Sequence, residues 1–371
     1  MLVGRALGRL WATRYPGFIF GRPLRRGEVP AFIYHEVETG AFSADLAFLR
    51  DNGYRTLTTE EFVSMSRDGS VGQRAVLLTF DDARRNFFEV ALPVLREFNA
   101  RATVFVPTHW IDGRRNGGGP SNISAYEPNL FMTWEQIRRA RDSGLVDVQS
   151  HAHRHALVYT GERLVGFASP DRLARHHIYD WPMRQEGGGE ALGRPPLGTP
   201  VYLAEPLLSA RFRILENAAA VRACRELVAG HGGAAFFQHR DWERRLREAH
   251  RAAAGRTERL EGESFEALAA SEFVLSQELF ETEMGCRPKL FAFPWRLGSD
   301  RSLEFAVKFG MTAVFGVGLD HGRARRVTTL PAFGRFKNDW LRFLPGEGRQ
   351  RLWNVIPGKI KGFFAAQHLT H

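Results

Sequence analysis

Residues Ala75-Val76-Leu77-Leu78-Thr79-Phe80-Asp81-Asp82 decide the reading of this chain: an apolar run ends in two adjacent carboxylates. Such a run suits a strand buried on both faces, as in a parallel sheet. Asp81 and Asp82 then sit where that strand leaves the core. Burying even one charge is costly unless it is paired or holds a metal. Sixty-nine residues after Asp82 comes a second polar cluster, Ser150-His151-Ala152-His153-Arg154-His155, again at the end of a short apolar run, Leu145 to Val148. One carboxylate with two imidazoles is a metal-ligand set for a catalytic site with open positions. The spare carboxylate is then available as a base.

The segments around these motifs alternate between strand and helix. Ala31 to Tyr34 reads as a strand ending at His35. Phe42, Leu46 and Leu49 have helical spacing, and Gly53 suits the cap. Thr58 with Glu61, and Thr133 with Gln136, have the spacing of helix starts. Asn86 to Phe98 reads as a helix with Pro93 an awkward point inside it. Ala102 to Val106 and Val146 to Gln149 are further strands. A helix from about Ser264 to Met284, a strand Leu290 to Phe293, a helix Ser299 to Phe309 and a strand Thr312 to Phe315 complete the pattern. Strands alternating with helices imply a parallel sheet, and seven or eight such units fit a (β/α) barrel with its site at the C-terminal strand ends. Residues 157–263 break the rhythm. They hold Trp181-Pro182, Gly187-Gly188-Gly189 and Pro195-Pro196, then helical sequence rich in Arg, Ala and Glu. They are expected to form an insertion of loop plus helices.

The motifs resemble those of the NodB-homology polysaccharide deacetylases, carbohydrate esterase family 4. Thr79-Phe80-Asp81-Asp82 matches the first family motif without change. His151-Ala152-His153-Arg154-His155 keeps the spacing of the second, His-[Ser/Thr]-x-x-His, without its Ser/Thr. Phe291-Ala292-Phe293-Pro294-Trp295 matches the third, Phe-x-x-Pro-aromatic. The resemblance covers roughly residues 30–156 and 271–335. It implies a distorted (β/α)7 barrel of the polysaccharide deacetylase kind, here with a largely helical insertion, divided as a basic N-terminal extension (1–28), a first barrel part (29–156), the insertion (157–263), a second barrel part (264–335) and a basic, aromatic C-terminal tail (336–371). It implies hydrolysis of an N-acetyl or O-acetyl group on a polysaccharide or lipid-linked glycan. Asp82, His151 and His155 would hold a divalent metal, zinc first with cobalt or nickel as alternatives, and Asp81 would be the general base. His153 is expected to face away as a spacer.

Three positions depart from the family pattern. Ala292 stands where many members carry an arginine that orients the base, so another cation must hold Asp81, and Arg296 is the candidate. The form with alanine resembles the branch acting on biofilm exopolysaccharides. The late motif that supplies the family's general acid has no clear match; His321 and His35 are candidates, and the alternative is that no protein group acts as the acid. Trp295 is expected to wall an acetyl pocket, its backbone N–H helping to bind the oxyanion, with His35, Pro294 and Arg296 nearby. A degenerate barrel that only binds or scaffolds carbohydrate is the competing reading.

Composition narrows the partners. The chain has 371 residues, 51 Lys and Arg against 41 Asp and Glu, and two cysteines, Cys224 and Cys286, in no motif. That usage suggests neither a disulfide framework nor a zinc knuckle. No zinc-finger, helix-turn-helix or RNP pattern accompanies the positive charge, so nucleic acid is not an expected partner. No apolar run suits a spanning helix and no leader pattern is seen, which sets a cytoplasmic expectation. Arginines mixed with aromatics in residues 1–26 and 335–364 suit an anionic membrane surface at its inner face. Because it leaves the barrel just after His155, the insertion is expected to cap the site, with Arg184, Tyr202, Trp181 and Phe237 as contacts.

Overall fold

A computed structural model describes residues 17–25, 28–68, 74–111, 130–253, 255–316 and 330–350. In chain order its strands are β1 (Ala31–Tyr34), β2 (Arg55–Thr56), β3 (Ala75–Phe80), β4 (Ala102–Val106), β5 (Val146–Ser150), β6 (Leu157–Phe167), β7 (Arg184–Glu186), β8 (Gly189–Ala191), β9 (Pro200–Pro206), β10 (Arg213–Leu215), β11 (Glu258–Leu260), β12 (Leu290–Ala292), β13 (Ala313–Phe315), β14 (Ala332–Phe333) and β15 (Phe336–Lys337). One sheet follows the path β14-β13-β12-β5-β4-β3-β1-β15, with β2 beside β3. Every pairing in it is parallel. The two ends of the path, β14 and β15, are separated in the chain by Gly334 and Arg335 alone, so the curled sheet turns back on itself there. This is the distorted (β/α)7 barrel expected from the alternation. All the residues of β1, β3 and β4 are buried. That burial is why these strands read as continuous apolar runs rather than alternating ones.

Local sequence signals act as expected at most helix ends. Thr133 and Gln136 form a reciprocal capping box on the helix Trp134–Arg141. Thr58 and Glu61 do the same before Thr59–Asp68. Asn86 to Phe98 is not one α-helix. A π-helical turn, Phe87–Ala91, leads into the α-helix Leu92–Glu97, which takes Pro93 in its first turn. A proline there removes an N–H that would have had no intrahelical partner, so the segment keeps its direction without breaking.

The segment read as loop plus helices contains more strand than that. Beside the helices Ala218–Gly230 and Trp242–Ala253 it holds three two-stranded antiparallel sheets, β6–β9, β7–β8 and β10–β11. The ribbon β6–β9 starts two residues after His155 and carries register shifts between Tyr159 and Gly166. Bulges of this kind blur the period-two pattern, which explains why the strand was not read. The described parts of both chain ends pack on the barrel. Phe18, Trp340 and Phe343 are buried in the main core, and Arg342 pairs with Asp45 at 2.8 Å. Phe18, Trp340 and Phe343 are therefore unavailable to a membrane surface, whereas Phe20, Arg22 and Arg25 are exposed; Arg26 and residues 1–16 and 351–371 lie outside the described residues. No helix among the described residues is long and apolar enough to cross a membrane.

The two cysteines differ sharply in setting. Cys224 is fully buried in the insertion, and burial pushes its thiol up to about 11, whereas Cys286 is exposed. Thiolate is the reactive form. The native chain should therefore titrate one thiol with Ellman's reagent at pH 8 and two in guanidinium chloride. Rapid reaction of both in the native state would show that the helix carrying Cys224 does not pack as described.

Candidate active site

Because the strands are parallel, the chain leaves β1, β3, β5 and β12 on one face of the barrel, and the motif residues meet there. The turns are unusual. Eight described non-glycine residues have positive φ, and six lie in these loops: Asp82 (71°), Ala83 (47°), Ala152 (67°), His155 (50°), Trp295 (57°) and Arg296 (60°). Backbone in this region is disfavoured for residues with a Cβ and concentrates where function over-determines it. Gly316 follows from the same crowding, since at φ +80° a β-carbon would lie 3.1 Å from the Arg296 Cα.

Asp82, His151 and His155 are buried, and one ligand atom of each lies within 4.8 Å of the others. The Nε2 atoms of both histidines stand 3.7 Å from Asp82 Oδ1. That is too far for hydrogen bonds. His151 Nδ1 donates to the Ala292 carbonyl oxygen at 2.8 Å. A carbonyl only accepts, so Nδ1 carries a proton, and Nε2 is the ring atom turned to Asp82. Burial, then the neighbouring His151, lowers His155 to about 3, which keeps it neutral. Asp82 Oδ1 is buried with no hydrogen-bond partner, while Oδ2 takes Arg84 Nη2 at 3.3 Å. An orphaned carboxylate oxygen facing two imidazole nitrogens fits a divalent cation bound by nitrogen and oxygen donors.

Asp81 is held differently. Arg335 Nη1 and Nη2 donate to its two carboxylate oxygens at 2.5 and 2.7 Å, and Nη1 also reaches Thr79 Oγ1 at 3.1 Å. Both partners are almost fully buried. Burial acts to raise the Asp81 pKa, but Arg335 and then His151 outweigh it and hold it well below the usual carboxylate range. The cation on Asp81 is thus Arg335, which sequence reading left at the edge of a basic tail, rather than Arg296. It stands at the corner between β14 and β15.

The remaining candidates are dispersed. His35 is exposed at the rim, close enough for its charge to favour ionisation of both Asp81 and Asp82. Pro294 is buried in a single 3-10 turn, while Trp295 is 36% exposed and leans on His155 with ring centroids 5.2 Å apart. His153 turns to Thr108, 2.9 Å from Nδ1 to Oγ1, and meets the His109 ring edge-on. Burial lowers it to about 2, so it stays neutral. His321 lies outside the described residues.

Residues 68–176 match the family described as polysaccharide deacetylase. That match spans 109 of the 371 residues. Over 119 residues it is 29% identical to the poly-beta-1,6-N-acetyl-D-glucosamine N-deacetylase of Escherichia coli K12, covering 32% of this chain and 18% of that one. Over 124 residues it is 29% identical to the enzyme of the same name from Staphylococcus epidermidis, covering 33% of this chain and 39% of that one. The chain thus spans under half the length of these relatives. Two solved structures share the deacetylase fold. The de-N-acetylase from Aggregatibacter actinomycetemcomitans has a TM-score of 0.51 at 18% identity, over 83% of this chain and 94% of that one. The BpsB deacetylase domain from Bordetella bronchiseptica has a TM-score of 0.52 at 18% identity, over 85% and 97%.

A second residue missed in the sequence organises the histidine loop of this chain. Glu272 lies on the buried face of the helix Gly262–Met284, in step with Phe265, Ala269, Ser276 and Phe280. Its Oε2 accepts from the backbone N–H groups of His153 and Arg154 at 3.1 and 2.7 Å, and Oε1 pairs with Arg154 Nη1 at 2.7 Å. A carboxylate at a core spacing was the available signal. Removing one member of a buried pair costs about 3–5 kcal/mol. Glu272→Ala should lower the urea-unfolding free energy by about that much, and Glu272→Gln by less; a loss under about 1 kcal/mol for Glu272→Ala would show that the loop is anchored otherwise.

Proposed function

We propose that this chain is a metal-dependent hydrolase that removes N-acetyl groups from an N-acetylglucosamine-type polysaccharide. The observation that carries the reading is the buried Asp82–His151–His155 cluster with an Arg335-clamped carboxylate at its side. The naming of the two relatives above supports the amino-sugar polymer as substrate. Amide hydrolysis needs a polarised carbonyl, an acceptor for a water proton and a donor for the leaving amine. A divalent cation held by Asp82, His151 and His155 would supply the polarisation and make a water more acidic.

The residues around that cluster do the rest. Asp81 is ionised at neutral pH, so it can take the proton as the water oxygen adds to the acyl carbon. Its Oδ2 lies 3.4 Å from His151 Nε2, beside the ligand set without belonging to it. Arg335 fixes the plane of the carboxylate and leaves each oxygen a second lone pair. Trp295, exposed on one face, offers an apolar wall for the acetyl methyl or a sugar ring. His35, at the rim, is the described group placed to return a proton to the leaving nitrogen, and His321 remains a second candidate. Acetate and a free amine are the products.

The purified chain should carry about one divalent ion, zinc first. His151→Ala and His155→Ala should each lose the ion and acetate release together. Retention of stoichiometric metal by either at neutral pH would overturn the ligand set.

The two carboxylates separate in a second test. Asp81→Asn should keep the metal and lose turnover by about 10²–10⁴-fold, the usual contribution of a positioned base. Asp82→Asn should weaken metal binding itself. Arg335→Ala should resemble Asp81→Asn in turnover and should also be less stable, because it strands a buried anion. Full acetate release by Arg335→Ala from an N-acetylglucosamine oligomer would remove Arg335 from the reading.

A further inference from the structure

The insertion sends one aromatic residue into the cluster, and it is none of the four expected. Trp181 and Arg184 are buried within the insertion, Tyr202 bonds His250, and Phe237 packs on Trp242. The residue that arrives is Tyr179. It sits in the 3-10 turn Ile178–Asp180, closed by a reciprocal cap: His177 N donates to Asp180 Oδ2 at 2.7 Å and Tyr179 N to His177 Nδ1 at 3.4 Å. The turn lays the Tyr179 ring flat on His155, with centroids 4.1 Å apart and planes 23° apart. Trp110 meets the same ring edge-on at 5.1 Å, so its place is set from two sides.

The polar end of this side chain has no assigned work. Tyr179 is 4% exposed, and its hydroxyl is buried with no hydrogen-bond partner. Leaving such a group unpaired is costly. Asp82 Oδ1, in the same cluster, is orphaned too. Burial, and after it the negative charge of Asp82, raises the hydroxyl well above its ordinary pKa. A tyrosine hydroxyl keeps its proton across the neutral range, so the group is a donor there. Arg84 completes the contact: its Nη2 reaches His177 Nε2 at 2.6 Å and Asp82 Oδ2 at 3.3 Å.

We propose that Tyr179 holds the His155 imidazole in its plane and donates its hydroxyl hydrogen bond to the acyl oxygen of a substrate or of acetate at the cluster. The insertion would thereby complete the site rather than only cover it. This rests on the reading of Asp82, His151 and His155 as a metal centre.

The test uses the full chain loaded with cobalt(II), with visible absorption as the readout and acetate as the probe. Tyr179→Phe removes only the hydroxyl. It should bind cobalt within about threefold of the parent and weaken acetate binding about five- to tenfold, the size of one hydrogen bond. With an N-acetylglucosamine oligomer its kcat should fall by about 10²-fold, in the range of one oxyanion donor, with KM changed much less. Tyr179→Leu removes the stack as well and should also weaken cobalt binding. An unchanged acetate Kd in Tyr179→Phe, with the parent binding both cobalt and acetate, overturns the donor role alone. A parent that binds no cobalt overturns the metal reading and this inference with it.

Discussion

Two carboxylates buried side by side at the end of one strand are the constraint from which the rest of this structure follows. Each would cost several kcal/mol if left uncompensated. They are compensated in opposite ways. Asp81 receives a full counter-charge, with both oxygens engaged by Arg335. Asp82 receives a partial one, with Arg84 on Oδ2 and two imidazoles near an oxygen that nothing else satisfies. One carboxylate is thus fixed as an anion beside the site, and the other keeps an oxygen open for the ligand role proposed above. The left-handed turns at Asp82, Ala83, Ala152 and His155 are what bring these atoms so close.

The barrel and the heart of the site were legible because their signals are local. The apolar run before Asp81 and the spacing of His151 and His155 each lie within one short segment, and each maps to a strand end. What completes the site is distant in sequence. Arg335 is 254 positions from Asp81, and Glu272 is 118 from the backbone of Arg154 that it holds. Ala292 announced that some other cation was needed, but only the near-closure of the sheet between β14 and β15 shows which one. Arg296 was a reasonable neighbour by sequence and is not the residue that clamps Asp81. The insertion was hardest to read. Its strands are short or bulged, and nothing marked Tyr179 out from Trp181 two residues later.

The three layers of the site divide the work by rigidity. Strand ends carry the proposed ligands and the proposed base. The long helix Gly262–Met284 fixes the histidine loop through Glu272. The insertion lays Tyr179 against His155 and meets Arg84 of the barrel through His177. A relay of charges makes the same connection further out, where Glu190 of β8 accepts from Arg213 at 3.0 Å and lies 3.5 Å from Arg154. Motif and insertion are therefore joined by contacts at more than one place.

The central claim is that Asp82, His151 and His155 hold one divalent cation beside an Arg335-bound Asp81. Crystals of the zinc-loaded chain, measured with anomalous scattering at the zinc edge, test it most directly. The account predicts a single strong peak about 2.0–2.2 Å from Asp82 Oδ1 and from the Nε2 atoms of His151 and His155, with Asp81 outside ligand distance. A peak on another set of residues, or ligation by Asp81 in place of Asp82, would contradict it.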